Sequence, residues 1–273
     1  VDRAASTLAR QVTARQLVPL LAPAVIPLTA SAGHAPIFLF HLLRRDPQLG
    51  LSVDLLRPLA RELCRNPDWR VSWTDRWRPS PGTDAPALAK VLATFPRLGV
   101  PGSSFIHPLL MQVDAPGVAD ERLGPVLGGW SAAAAGAVLR VASRSMMLDV
   151  PEHAPYGWSH CLTIPQALLG ITAGTPSADL GLALAATSVA SFRAALGEVE
   201  LPLGTLGDLP LVRPSDLATA AALGHDAHVV KHALACLDAA HDAPPAAALH
   251  LAAGQHLLDV WSDLGGDPSD PLP

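Results

Sequence analysis

The chain reads as an all-α protein, a single helical domain over residues 1–264 followed by a disordered tail over 265–273. Three observations carry that reading. Hydrophobic residues make up 49% of the chain and charged ones only 16%, and the apolar share is mostly Ala and Leu, helix formers, rather than the β-branched residues that fill strands. Apolar positions recur with helical spacing along most of the length. Where that spacing lapses, the 27 prolines and 21 glycines punctuate it.

Taken in order, Val1–Ala30 carries helical periodicity broken by Pro19, Pro23 and Pro27. His34–Arg45 is predicted as a helix capped by Ser31, with Pro36 near its first turn. Leu51–Cys64 is amphipathic helix. Trp69, Trp73 and Trp77 follow at i, i+4 and i+8 as a tryptophan stripe, read as core packing or as the wall of an aromatic pocket. Arg78–Pro86 is a Pro/Gly/Asp loop, Ala87–Phe95 a short helix, and Ser103–Val113 contains His107–Pro108. Ala119–Met147 is a helical hairpin or bent helix with glycine elbows. Leu148–Ser159 is irregular and leads into the helix His160–Ile171. Asp179–Leu196 is apolar helix and Gly197–Pro214 a loop; Ser215–Leu223 follows, with Ser215 and Asp216 as cap signals. Gly224–His241, GHDAHVVKHALACLDAAH, is the central histidine helix. Pro244 and Pro245 break the chain before Ala246–Leu264. No internal repeat or composition shift divides the chain into domains.

Composition narrows the function. A net charge of −5 over 273 residues and a pI near 6.1 leave no electrostatic footprint for nucleic acid. No stretch is a clean transmembrane helix: Val126–Leu148 and Leu162–Leu184 are interrupted by Gly, Arg, Pro or Asp. A mean hydropathy of +0.30 implies buried helices or a homodimer interface. The three cysteines, Cys64, Cys161 and Cys236, are far apart and odd in number, which fits a reducing cytoplasm and neither a zinc site nor a disulfide framework. Glutamate is confined to Glu62, Glu121, Glu152, Glu198 and Glu200, and no Glu-x-x-His occurs, which excludes a ferritin-like di-iron bundle. There is no GxGxxG, P-loop, G-x-S-x-G or Cys-x-x-Cys.

Against that background the eleven histidines are the chemical signal. Imidazole ligates iron, copper and zinc and serves as a base near neutral pH. Each histidine alone is read as a core group bonded locally; His34, His41, His160, His228 and His232 on apolar helices are read together as holding a cluster. His225, His228 and His232 lie on one stripe of the central helix, and the i, i+4 pair His228/His232 suits a metal. His225–Asp226 is the doublet of HD-type metal helices, and Asp238 with His241 is a weaker ion site. Lys231 is one of only two lysines. It is read either as a point charge for a phenolate or other anionic oxygen or as a lysine placed by the helix dipole. Tyr156, Trp158 and Gln166 around His160 are candidate pocket walls.

Three segments, GHAPIFLFHLL (33–43), GWSHCLTIPQALLG (157–170) and DAHVVKHALACL (226–237), together resemble the questin oxidase-like family, with Gly33 where that family has Asn. The resemblance covers about a third of the chain. It implies a helical fold and a monooxygenase that inserts oxygen into an anthraquinone ring using reduced nicotinamide. It singles out His34, His160, Thr163, His228 and Lys231. The expectation is therefore an oxidoreductase acting on an aromatic, polyketide-like small molecule. His160, His228 and Lys231 are its catalytic residues, and His34, His160, His228 and His232 the ligands of a transition metal, iron first. Tyr156, Trp158, Thr163 and Gln166 line the substrate pocket, and NADPH is the electron source. The alternatives are an HD-like phosphohydrolase built on His225 and Asp226, or a non-catalytic helical binding protein.

Overall fold

The computed structural model describes residues 2–44, 53–101, 106–114, 117–204, 206–224 and 226–263. Among the described residues, 73% of the structure is helical and no strand forms. Thirteen α-helices follow one another: α1 (Asp2–Gln11), α2 (Ala14–Val25), α3 (Ala30–Arg44), α4 (Val53–Arg65), α5 (Ala85–Ala93), α6 (Ile106–Asp114), α7 (Val118–Leu123), α8 (Ala132–Leu148), α9 (Ser159–Thr172), α10 (Ala178–Leu196), α11 (Pro214–Leu223), α12 (Ala227–Asp242) and α13 (Ala247–Asp263). The predicted tail 265–273 lies outside the described residues, as does His225.

The N-terminal stretch breaks where Thr13 caps α2 in a capping box with Gln16, and Pro19 and Pro23 are carried inside that helix. α3 starts at Ala30, earlier than expected, so Ser31 is part of the helix rather than its cap and Pro36 falls in its interior. Gly33 sits within this turn at φ +67. That left-handed backbone suits only glycine well, and a Cβ there would come 2.7 Å from Ile164 Cδ1 of α9. The predicted hairpin over 119–147 resolves into α7 and α8. α11 begins at Pro214 after Arg213, which makes no side-chain cap, and Asp216 pairs with Arg213 rather than capping. The irregular stretch before His160 is instead helical: a 3₁₀ turn (Pro151–His153) and a π turn (Ala154–Trp158) run straight into α9. Pro155 is accommodated at the start of that π turn, where its missing N–H is no loss.

α9 is the centre of the body, with every residue but Gly170 buried. α10 lies against it, close enough that a Cβ on Gly181 would come 2.0 Å from Thr172 Oγ1. α10 is also the one described helix long and apolar enough to cross a membrane, and 89% of that stretch is buried inside the protein. The fully buried Leu162, Leu182, Leu39 and Leu42 belong to this core, each contributing about 1.5–3 kcal/mol by burial.

A buried ion pair holds the turn that leads into α9. Arg193 of α10 pairs with Asp149 and also donates to the Val199 carbonyl. Asp149 further accepts from the backbone N–H groups of Val150 and Glu198. Arg193 also sits over the Trp158 ring, 5.9 Å from its centroid. Arg193 Nε is left without a partner among the described residues, and a buried pair of this kind fixes geometry more than it adds stability.

Candidate functional site

His34, His160 and His228 come from three helices and meet. Their ligand-capable nitrogens all lie within 4.8 Å of one another. Each sits early in its helix: His34 in α3, His160 in α9 and His228 in α12. α3 and α12 bring their N-terminal ends here, while α9 continues unbroken from the π turn; the partial positive charge of those two ends favours an anion between them.

Hydrogen bonds to the outer ring nitrogens orient two of the three imidazoles. His160 Nδ1–H donates to the Tyr156 carbonyl at 2.6 Å, an acceptor that the π turn leaves in reach. His228 Nδ1–H donates to Asp226 Oδ1 at 2.9 Å. The same Asp226 oxygen caps α12 by accepting the His228 backbone N–H. In both rings Nε2 then presents its lone pair inward, which is how outer partners prepare imidazoles as ligands. His34 Nε2 lies 3.5 Å from His160 Nε2. Lys231 stands at both nitrogens: Nζ lies 2.7 Å from His160 Nε2, to which it can donate, and 3.3 Å from His34 Nε2.

Burial sets the protonation states. It holds the His160 imidazole well below its ordinary pKa, with Lys231 and His34 adding to the effect. It lowers His228 in the same direction, helped by Lys231 and opposed by Asp226. The Lys231 ammonium is pushed down by burial to about 7, although Asp226 raises it. Neutral imidazoles and a lysine that gains and loses its proton near neutrality are the result.

The cluster opens onto a cavity of about 390 Å³, within the range of small-molecule sites. Its walls are mainly apolar: Val100, Ile106 and Leu109 on one side, Phe192 and Leu196 of α10 on another. Tyr156 closes one edge, half exposed, with its ring 4.8 Å from that of His228 in an edge-on arrangement.

Of the residues the sequence singled out, His34, His160, His228, Lys231 and Tyr156 are therefore gathered here. The others are not. His232 is fully buried on the core side of α12, with Nε2 3.5 Å from Cys236 Sγ, and is not in the cluster. Trp158 is fully buried and donates through Nε1 to the Val150 carbonyl. Thr163 hydrogen-bonds the Ser159 carbonyl one turn back. Gln166 donates to the Ala235 carbonyl and faces a different cavity. Asp226 is a cap and a histidine support, Asp238 pairs with Arg44 of α3, and the tryptophan stripe packs elsewhere. Trp73 donates to Thr187, and Trp69 stacks on His107 at 4.2 Å.

The apolar walls were not foreseen, because a cavity-lining Leu109 or Phe192 has the same helical spacing as a core residue. Glu152, His153 and Gly157, which also line the cavity, lie in the segment leading to His160, and that adjacency was the available signal. Comparisons with protein-family models, characterised proteins and solved structures returned no match.

Proposed function

We propose that the protein is an oxidoreductase of the questin oxidase-like type, a monooxygenase acting on a phenolic, polyketide-like aromatic molecule bound in the histidine-lined cavity. One observation carries this reading. Of the five residues that the resemblance picks out, His34, His160 and His228 line one apolar cavity, and a fourth, Lys231, contacts His34 and His160. Chance or core packing alone gives no reason for that convergence.

The donor set suits a transition metal. Three imidazoles offer nitrogens within 4.8 Å of one another, two with outer hydrogen bonds that orient their rings; Lys231 Nζ stands between His34 and His160 and would withdraw for an ion to enter. His34, His160 and His228 are the residues that would hold the ion, iron first; once bound it would supply activation of dioxygen. The remaining work belongs to the chain. The apolar walls exclude water and take the aromatic rings. Lys231, titrating near neutrality, accepts the proton of a phenolic hydroxyl and then holds the phenolate as an ammonium. The N-termini of α3 and α12 favour the same negative charge. The balance of the reaction is one oxygen atom into the substrate and one into water, with two electrons from NADPH as the external donor. The free thiols suit the cytoplasm where that donor is found.

An HD-like hydrolase fits less well, because Asp226 is committed to the α12 cap and to His228. The test is metal analysis of protein purified without chelator, followed by aerobic turnover of 1,8-dihydroxyanthraquinone with NADPH. Near one equivalent of iron, lost in His160→Ala and His228→Ala together with turnover, supports the proposal. Less than a tenth of an equivalent of iron, copper, manganese or zinc, with no gain on reconstitution, overturns its metal form. No turnover by iron-loaded protein overturns the oxygenase.

A further inference from the structure

α3, α9 and α12 line a second cavity at their other ends. Phe40 and Arg44 come from the last turns of α3, Gln166, Leu169 and Gly170 from the second half of α9, and Ala239 and Asp242 from the end of α12. α8 closes it with Ala135, Gly136 and Leu139, joined by Trp130, and α13 contributes His250. Its volume is about 460 Å³.

Two buried polar side chains line this cavity, and one of them, His250, is left with an unmet hydrogen bond. Gln166 is 8% exposed, and its Nε2 donates to the Ala235 carbonyl. His250 is fully buried. Its Nδ1 lies 2.8 Å from Ser143 Oγ on α8, and its Nε2 has no partner among the described residues. With the Ser143 hydroxyl donating to Nδ1, Nε2 carries a proton and nothing receives it. Burial keeps this ring neutral by pushing its pKa to about 4, so it adds no charge. A buried donor left unmet is costly, and native proteins rarely leave one beside a hollow with nothing to receive it.

The rest of the lining says what would meet it. Phe40 and the half-exposed Trp130 offer aromatic faces, and Leu139, Leu169 and the alanines offer apolar contact. Water alone would satisfy the polar atoms but not this carbon-rich wall. Arg44 is paired with Asp238 and lies over the Phe40 ring, 5.3 Å from its centroid. Asp242 is exposed at the rim and solvated there. No unpaired charge in the interior therefore asks for an ionic ligand.

We infer that this cavity is a second small-molecule site, for an uncharged hydroxyl-bearing aromatic molecule. The hydroxyl donates to Gln166 Oε1 and accepts from His250 Nε2–H. The ring lies against Phe40 and Trp130. The site requires neither a metal nor turnover at the histidine cluster, so it stands or falls separately from the oxygenase proposal.

The probe is 2-naphthol, titrated calorimetrically into the full chain. To keep the first cavity out of the measurement, the background carries Leu109→Trp, which fills it. Binding should persist in that background within about twofold of the unsubstituted protein's affinity. It should weaken at least tenfold on adding Gln166→Leu, and equally on adding Ala135→Phe, which fills the second cavity from a partly exposed wall position without touching a hydrogen bond. Tryptophan emission should shift on binding, and Trp130→Phe should remove most of that shift. No heat of binding in the Leu109→Trp background, or binding that survives both Gln166→Leu and Ala135→Phe, overturns the proposal.

Discussion

At one end of α3, α9 and α12 stand three imidazoles and a lysine; at the other end of the same helices stand an amide, aromatic faces and alanines. The backbone makes this asymmetry before any side chain does. Helix N-termini present N–H groups and partial positive charge, and C-termini present carbonyls. A negative oxygen is therefore welcome at the first end, and the second end carries no such bias toward anions. The lysine sharpens the contrast. Lys231 is a cation placed where burial opposes its charge and Asp226 only partly offsets that, with His160 Nε2 2.7 Å from its Nζ. A group held against its electrostatic preference is better explained by chemistry than by stability.

The largest effect expected from that contrast is at Lys231 itself. Lys231→Met keeps the apolar stem and removes the buried charge. Because burial pushes the ammonium from its ordinary 10.5 to about 7, the substitution should stabilise the fold at pH 7 by about 2–4 kcal/mol. It should also free Nε2 of His34 and His160, so uptake of a metal should survive or strengthen. Binding of a phenolate should be lost. Thermal unfolding, metal titration and the absorbance of bound 1,8-dihydroxyanthraquinone read the three outcomes. A variant less stable than the parent would show that Lys231 is a structural tie rather than a strained catalytic group.

Next in size is a pH effect from histidines away from the cluster. His232 and His250 are buried neutral, each with its pKa lowered by burial to about 4. In the unfolded chain both titrate near 6.5, so between 6.5 and 4 the unfolded state binds more protons. The stability their neutral burial allows is fully present above pH 6.5 and is lost as pH falls through that window. The loss reaches about 3 kcal/mol per group. Denaturant unfolding at pH 7 and pH 4.5 should show it, and His232→Leu should flatten the dependence. An unchanged pH profile in that variant would mean that His232 is charged, or solvated, in the folded state.

How far the sequence revealed this arrangement depends on which question is asked of α12. The helical period made its register readable, and His228 and Lys231 fall where that register puts them, while Asp226, expected inside the helix, is its extended N-cap. His232 did not follow, for a reason in the geometry. Successive residues turn by about 100° around a helix, so Lys231 and His232 flank His228 on opposite sides. One side faces the cavity and the other the core, and spacing alone cannot tell which. Gln166 failed in the same way on α9: it lies beyond His160 but on a side that meets a different hollow. The helices themselves were legible because Ala and Leu dominate and Pro and Gly punctuate. The stretch over 148–158 was not, since its Pro and Gly signal a loop while tertiary packing around Asp149 and Arg193 winds it into 3₁₀ and π turns. The walls of both cavities were invisible, because periodicity marks a buried face and not whether an atom fills it.

Gly33 links backbone and site, and its effect should be smaller. At φ +67 an L-residue is strained by about 1 kcal/mol, and a Cβ would press on Ile164, so Gly33→Ala should lose about 1–3 kcal/mol. His34 is the next residue, and its ring should be displaced with the backbone. Metal affinity or phenol binding should fall, while 2-naphthol binding at the far end of α3 should hold. Equal losses at both ends would mean that α3 moves as a whole and that Gly33 has no special hold on His34.

The smallest effect separates two jobs performed by one atom. Asp226 Oδ1 caps α12 through the His228 N–H and orients the His228 ring through Nδ1. Asp226→Asn retains an oxygen able to cap the helix but removes the charge that makes His228 a better ligand. Stability should change by less than about 0.5 kcal/mol, while affinity for a metal at the cluster should drop about tenfold. Asp226→Ala removes both functions and should cost about 1 kcal/mol in addition. Chemical denaturation of the two variants beside iron titration decides it. If both lose stability equally and neither changes metal affinity, Asp226 is a cap alone, and the inward aim of His228 depends on the packing of Tyr156 against its ring.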